Sequence, residues 1–438
     1  MSNILFISRY YLPEKVADAA RVSETAKRLV ERGHQVTILT TVPNYPRGIV
    51  PSPYRNRLLQ EENIDGVRVI RVWSYIHANK GFLRRILAQL SFGCCAPFLA
   101  CKAVGQPDVI IVNSPPLFTV IAARMLAWLK GCPYIFWVAD VWPESAVQLG
   151  VLRNRMLIRL SEWLEWSSYQ RATLIWVVTE GVRNLLIQRG LPPERIFLLT
   201  SGVDIRKFRP FPQAQARASL DWDHRFTVLY AGNHGLMYSM MTVLDAAEQL
   251  RLDTDIRIVL VGDGIQKDNL IAEAQRRNLK NVIFLDPIPH DQMPQLLAAA
   301  DVCLIPLRKL PLLKTTLSLK MFELMACARP FVLTTEGIAC QLAGQEACAA
   351  LCIEPENADA LVSAILYLRT HPEEAEALGR RGRAYVQTHF DYDHLIARLD
   401  QRLEVLLKKD SSVSPSLLPN PVSLPKTPAP GILDLEPL

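Results

Sequence analysis

Ile4-Leu5-Phe6-Ile7-Ser8-Arg9 is followed by a loop, an amphipathic run from Arg21 to Arg32, the turn Gly33-His34, and then Val36-Thr37-Ile38-Leu39-Thr40-Thr41. A short apolar run, a helical period and a second apolar run make a βαβ unit. Such a unit predicts a parallel sheet with right-handed crossovers. The pattern continues outward from it. Strand-like runs recur at Val67 to Val72, Val109 to Asn113, Tyr134 to Val138, Leu174 to Val178 and Ile196 to Leu199. Helical patterns lie between them at Ala122 to Lys130 and Arg155 to Arg171. A second series begins at Phe226-Thr227-Val228-Leu229-Tyr230-Ala231-Gly232 and continues with strands at Ile256 to Val261, Val282 to Leu285, Val302 to Ile305, Phe331 to Leu333 and Ala350 to Ile353. The fold class read from this is α/β: two doubly wound, Rossmann-like domains, residues 1–205 and 206–390. The linker is Gly202 to Ala216, which carries Pro210 and Pro212. The chain then turns helical as far as Lys409. Residues 410–438 are rich in Pro and Ser without a helical period, the composition of a disordered tail.

Composition bounds the function. Of 438 residues, half are hydrophobic, enough for two large cores, and the net charge is +6. That mild basic excess suits a protein that handles anionic nucleotides or rests on anionic lipid. It is too scattered for nucleic-acid binding, and no such motif is present. The nine cysteines form no CxxC pair and mostly sit in apolar runs. Buried reduced thiols in a cytoplasmic protein are the expectation. The stretch from Ile86 to Val104 is apolar but carries Gln89, Ser91 and Lys102 and is broken by Pro97. It reads as a buried or half-buried helix rather than a membrane span. Arg84-Arg85 ahead of it raise a second reading, peripheral contact with the inner face of the plasma membrane.

In open parallel sheets ligands bind beyond the carboxyl ends of the strands, where helix N-termini offer free N–H groups to phosphate. Three such places stand out. Gly232-Asn233-His234-Gly235 directly follows a strand, and its glycines permit close backbone approach. Gly262-Asp263-Gly264 follows another, although a lone GxG also serves ordinary tight turns. Ser318-Leu319-Lys320-Met321-Phe322-Glu323 opens a helix, with Ser318 as N-cap, Lys320 placed for phosphate and Glu323 for ribose hydroxyls. A helix start of capping-box type without ligand accounts for Ser318 and Glu323 equally well. In the first half, Asp140-Val141-Trp142-Pro143-Glu144-Ser145 follows a strand and offers two carboxylates and a tryptophan, or merely a cap and a surface acid. Trp163 and Trp166 read as helix core, and His34 as part of a helix-to-strand turn. His234, in the glycine loop, reads as structural or solvated rather than catalytic.

Together these residues resemble glycosyltransferase family 4, of the GT-B fold, in its branch for colanic-acid, O-antigen and related exopolysaccharide assembly. The resemblance covers about the first 400 residues. It rests on Asn44-Tyr45-Pro46-Arg47-Gly48, the Asp140 to Ala146 segment, Gly202-Val203-Asp204, Tyr230-Ala231-Gly232-Asn233, Val261-Gly262-Asp263-Gly264 and Lys320-Met321-Phe322-Glu323-Leu324-Met325-Ala326. It implies retaining transfer from a nucleotide-sugar donor to a glycan or polyprenyl-linked acceptor, across a central cleft. The donor belongs to the C-terminal domain and the acceptor to the N-terminal one, with residues 391–409 packing back on the latter. Neither cofactor nor metal is implied. The DxD pairs Asp253-Thr-Asp255 and Asp391-Tyr-Asp393 fall before a strand and at a helix start, not where a phosphate-bridging cation would sit. By family position Glu323 binds ribose, Lys320 faces the diphosphate, the two glycine loops line the nucleotide pocket, and Asp140 lies near the reacting carbon beside Trp142 and Glu144. The chain departs from the pattern at Thr315, where the family carries an acid, and in Pro13-Glu14-Lys15-Val16, where it carries glycines. Ala139, Ser201 and Met237-Tyr238 differ as well. These departures raise an alternative: a catalytically weakened protein of this fold that binds a sugar nucleotide or a partner transferase. Arg308, Lys309 and Lys314 form a basic loop that either faces solvent or screens the diphosphate.

Overall fold

The computed structural model of the chain describes residues 1–408 apart from 15, 46–47 and 78–81, and leaves the side chains of 82, 83 and 85 undescribed. The tail expected at 410–438, the middle of the Asn44 to Gly48 motif and the Arg85 side chain lie outside the described residues. Two units separate by their internal contacts. One holds Met1–Gly202 and the chain returning at Phe390; the other is Val203–His389.

The first unit contains β1 (Asn3–Ile7), β2 (Gln35–Thr41), β3 (Leu59–Ile64), β4 (Val67–Val72), β5 (Val109–Ser114), β6 (Tyr134–Val138), β7 (Leu174–Val177) and β8 (Ile196–Leu198). Their order is β3-β4-β2-β1-β5-β6-β7-β8. All neighbours pair in parallel except β3 with β4. Runs such as Val109-Ile110-Ile111-Val112 are apolar on both faces because helices cover both. Leu5, Ile7, Val112 and Phe136 face one core, and Ile4, Phe6, Ile111 and Trp137 the other. The second core also takes Tyr392, Leu395, Ile396, Leu399 and Leu403 from the helix Tyr392–Leu407. That helix is further tied by Arg28 to Asp393 at 3.1 Å and His34 to Asp400 at 2.8 Å.

The second unit contains β9 (Phe226–Ala231), β10 (Ile256–Val261), β11 (Val282–Leu285), β12 (Val302–Pro306), β13 (Phe331–Thr334) and β14 (Ala350–Ile353), all parallel, in the order β11-β10-β9-β12-β13-β14. The strand order reverses between β9 and β12. That switch point opens a crevice at the carboxyl ends, where β9 and β10 release the two glycine loops.

Three expectations need correction. Trp163 is 62% exposed and Leu160 57%, so only Trp166 joins the core. The nine cysteines are all free, but only Cys303 and Cys327 are buried, while Cys94 and Cys348 are exposed. The first helix begins at Ala17, four residues before the amphipathic run was expected to start. Among the described residues, no helix is long and apolar enough to cross a membrane.

Candidate functional site

The loops after β9 and β10 meet backbone to backbone. Gly232 has φ 144° and Gly262 φ 142°, conformations that L side chains rarely adopt. A Cβ on Gly262 would collide with the Gly232 carbonyl, and one on Gly232 with the end of the Lys320 side chain. A Cβ on Gly264 would strike Asn233 and the His234 carbonyl. Asn233 and Asp263 are exposed at the rim, and the Asp263 carboxylate accepts the Gly264 N–H at 2.8 Å.

Lys320 lies against this junction from the helix Leu319–Ala326. Its ammonium donates to the Tyr230 hydroxyl at 2.7 Å and sits 4.1 Å from the ring centres of both Tyr230 and Tyr238. Cation–π attraction stabilises it there. Among the described residues it forms no ion pair. Burial pushes its pKa down from 10.5 to about 7, and the charge of Glu323 offsets only part of that. His234 is fully buried beside Tyr230, and among the described residues both its ring nitrogens lack a hydrogen-bond partner. Burial, with Lys267 and Lys320 nearby, pushes its pKa down to about 4, so it is neutral near pH 7.

Ser318 occupies the N-cap with extended backbone, yet its side chain makes no cap bond to the helix. It pairs with Tyr238 instead. The capping-box reading is thereby excluded, since Ser318 supplies no side-chain cap to the first turn. Glu323, one turn further on, is half-buried and joined to His290 at 2.9 Å. Lys320 and Glu323 line one hollow with Leu229, Ala231, Met293 and Cys303. Each cation of the basic loop is paired with an acid. Arg308 pairs with Glu356 at 3.3 Å, Lys309 with Glu354 at 2.7 Å and Lys314 with Glu336 at 2.7 Å. The Thr315 hydroxyl is spent on the Leu312 carbonyl.

In the first unit Asp140 stands two residues beyond β6. Desolvation pushes its carboxyl up to about 6, against hydrogen bonds from Ser145 and the Val141 backbone. Trp142 packs edge-on against Phe118 at 5.5 Å. Glu144 bonds Arg189 at 2.5 Å and Gln148 at 3.1 Å, the arrangement of a surface acid at a helix start. The DxD acids are engaged elsewhere, Asp253 and Asp255 by Arg369 and Asp393 by Arg28. The structure thus gathers Gly232, Asn233, Gly262, Asp263, Gly264, Ser318, Lys320 and Glu323 at one strand-end crevice, while Asp140, Trp142 and Glu144 belong to the other unit.

Sequence reasoning overlooked Tyr230 and Tyr238 as the housing of Lys320. The signal was Tyr238 standing where small residues were expected. It also passed over Glu14, which is buried in the first unit and accepts the N–H groups of Asn44 and Tyr45, each at 2.9 Å.

Residues 19–202 match the model of a glycosyl transferase 4-like domain, and residues 225–371 that of glycosyl transferases group 1. The putative colanic acid biosynthesis glycosyl transferase WcaI of Escherichia coli is 28% identical over 373 residues, covering 83% of this chain and 91% of its own. MMP alpha-(1->4)-mannosyltransferase of Mycolicibacterium hassiacum is 23% identical over 412 residues, 86% of this chain and 92% of its own. Sucrose-phosphate synthase from Thermosynechococcus elongatus superposes with a TM-score of 0.76 at 20% identity, covering 93% of this chain and 99% of that one. HepE of Anabaena in complex with UDP and glucose does so with 0.70 at 17% identity, covering 92% and 100%.

Proposed function

We propose, from the premise that this chain belongs to the glycosyltransferases of GT-B type, that it moves a sugar from a nucleoside-diphosphate donor to a glycan or polyprenyl-linked acceptor in surface polysaccharide assembly. The observation that carries this reading is Lys320: a desolvated cation that forms no ion pair among the described residues, in the first turn of a helix whose N-cap residue, Ser318, gives it no side-chain bond. A cation at a helix N-terminus favours an anion.

In this mechanism the donor diphosphate docks there and Glu323 accepts the ribose hydroxyls. As the bond from the anomeric carbon to the diphosphate breaks, negative charge grows on the leaving oxygen. Lys320 and the first-turn N–H groups receive it, and their fixed placement avoids reorganisation during the step. No metal is required, because that charge is already met. Asp140 would support the positive character left on the anomeric carbon, and transfer would proceed with retention. The chain would work at the inner face of the membrane. The contact surface would be the exposed row Met156, Leu160 and Trp163, flanked by Arg155 and Arg159.

The second reading, a weakened protein that only binds, draws on Thr315 and Lys314, both turned to other partners. One experiment separates the two. The purified chain is given a panel of UDP-, GDP- and ADP-sugars with lipid-linked acceptor. Turnover that Glu323→Ala weakens supports the transferase. Thermal stabilisation by nucleotide without turnover supports the binder. No stabilisation and no turnover removes both.

A further inference from the structure

The Gly202-Val203-Asp204 motif lies far from Lys320 in sequence, yet its turn reaches the crevice. The Asp204 carboxylate accepts the N–H of Arg206 at 2.9 Å and of Lys207 at 3.2 Å, closing a tight turn. Arg383 fastens that turn to the end of the Lys320 helix. It donates to the carbonyls of Ile205 at 3.0 Å, Phe208 at 2.7 Å and Ala326 at 2.8 Å. The turn delivers Lys207 and Phe208 to His290, which follows β11. The Phe208 and His290 rings lie 5.1 Å apart, and Lys207 Nζ is 3.1 Å from His290 Nδ1.

An ammonium can only donate, so His290 Nδ1 is the acceptor and carries no proton. The ring proton is therefore on Nε2, which lies 2.9 Å from Glu323 Oε1. We infer that His290, set in one tautomer by Lys207, is a positioning residue that holds the Glu323 carboxylate in register for the nucleotide ribose. The inference rests on the ribose role proposed for Glu323. His290 fills one lone-pair site of that carboxylate and fixes the plane of the other oxygen. Glu323 stands on a helix and His290 on a loop, so each limits the other's freedom. The Asp204 turn thereby has a task at the site beyond joining two units.

Two measurements test this. In the ligand-free chain, imidazole ¹⁵N shifts should show His290 as the Nε2–H tautomer, and Lys207→Met should abolish that preference. An Nδ1–H ring in the wild type overturns the inference whatever the protein binds. Titration with UDP, GDP and ADP forms the second arm. His290→Leu should weaken the best-bound nucleotide roughly tenfold, the scale of losing one charge-assisted hydrogen bond. It should raise KM for the matching sugar nucleotide by a similar factor with kcat nearly unchanged. His290→Gln can accept from Lys207 and donate to Glu323, so it should restore most of the affinity. An unaffected His290→Leu alongside a weakened Glu323→Gln sinks the positioning role and leaves the ribose reading standing. An unaffected Glu323→Gln sinks the ribose reading itself, and the tautomer still decides the geometry.

Discussion

Lys320 shows how a single residue can be unfavourable alone and useful with a ligand. Tyr230 and Tyr238 compensate part of its desolvation, but its pKa of about 7 says that the charged form is disfavoured. The folded pKa lies below the unfolded one, so the apo protein gains stability from this group as pH rises from about 7 toward 10.5. His234 acts with the same sign, its contribution being lost as pH falls from 6.5 toward about 4. A bound diphosphate reverses the balance at Lys320 by supplying the missing charge. Above about pH 7 binding must then take up a proton, and affinity should fall by up to about tenfold per pH unit. Calorimetric titration with UDP, GDP or ADP in buffers of different ionisation enthalpy reads both the affinity and the proton. Lys320→Met should flatten the pH dependence, weaken binding by roughly 2 kcal/mol, about thirtyfold, and raise the thermal midpoint of the ligand-free chain. A midpoint that falls would mean the cation is already well compensated. Lys320 was legible in the sequence because it stands in the first turn of a helix, where phosphates are met. Its tyrosine housing was not, since Tyr230 and Tyr238 come together with it only through the fold. His290 was hidden for the same reason, being 83 residues from Lys207 and 33 from Glu323.

At the scale of elements, periodicity carried the parallel strands because apolar runs buried on both faces leave an unmistakable pattern. It did not carry β3. Leu-Gln-Glu-Glu-Asn-Ile has no apolar run and exists as a strand through antiparallel pairing with β4 at the sheet edge. Trp163 and Trp166 were read alike because three residues keep two side chains within about 60° on a helix. The buried stripe of Leu164, Ser168 and Tyr169 ends between them. The outward row Met156, Leu160 and Trp163 has the i, i+4, i+7 spacing of one helix face, and Arg155 and Arg159 on it form no ion pair among the described residues. Vesicles containing phosphatidylglycerol should therefore retain the chain at low salt, each arginine adding about 1 kcal/mol. Leu160→Ser with Trp163→Ser should weaken retention roughly tenfold or more without touching nucleotide affinity. A wild-type chain that stays in the supernatant at low salt excludes this surface. The glycine junction makes a sharper demand. Gly262→Ala must displace the Gly232 carbonyl from a conformation that alanine also resists. It should cost about 3 kcal/mol or more in urea unfolding of the second unit and abolish nucleotide binding. A mild loss would show that the β9 and β10 loops are free to part.

The whole molecule is threaded so that the chain leaves its first unit at Gly202, builds the second, and returns at Phe390 to complete the first. Tyr392, Leu395, Ile396, Leu399 and Leu403 are each no more than 9% exposed. At about 1.5–3 kcal/mol apiece their burial contributes on the order of 10 kcal/mol, comparable with the whole stability of a domain. The first unit should accordingly be unable to hold its fold until the second has been made. A chain ending at His389 should lose it, and the readout lies inside that unit. Trp137 and Trp176 stack with ring centres 3.9 Å apart and planes 1° from parallel, a pair whose coupled near-ultraviolet dichroism requires native packing. Truncation should erase that signal while Val203–His389 keeps its nucleotide site, and a synthetic peptide spanning 390–408 added in trans should bring it back. Retention of the signal without the helix would mean that the eight strands and their remaining helices close that core unaided. The last helix would then serve to fasten the returning chain and not to complete the fold.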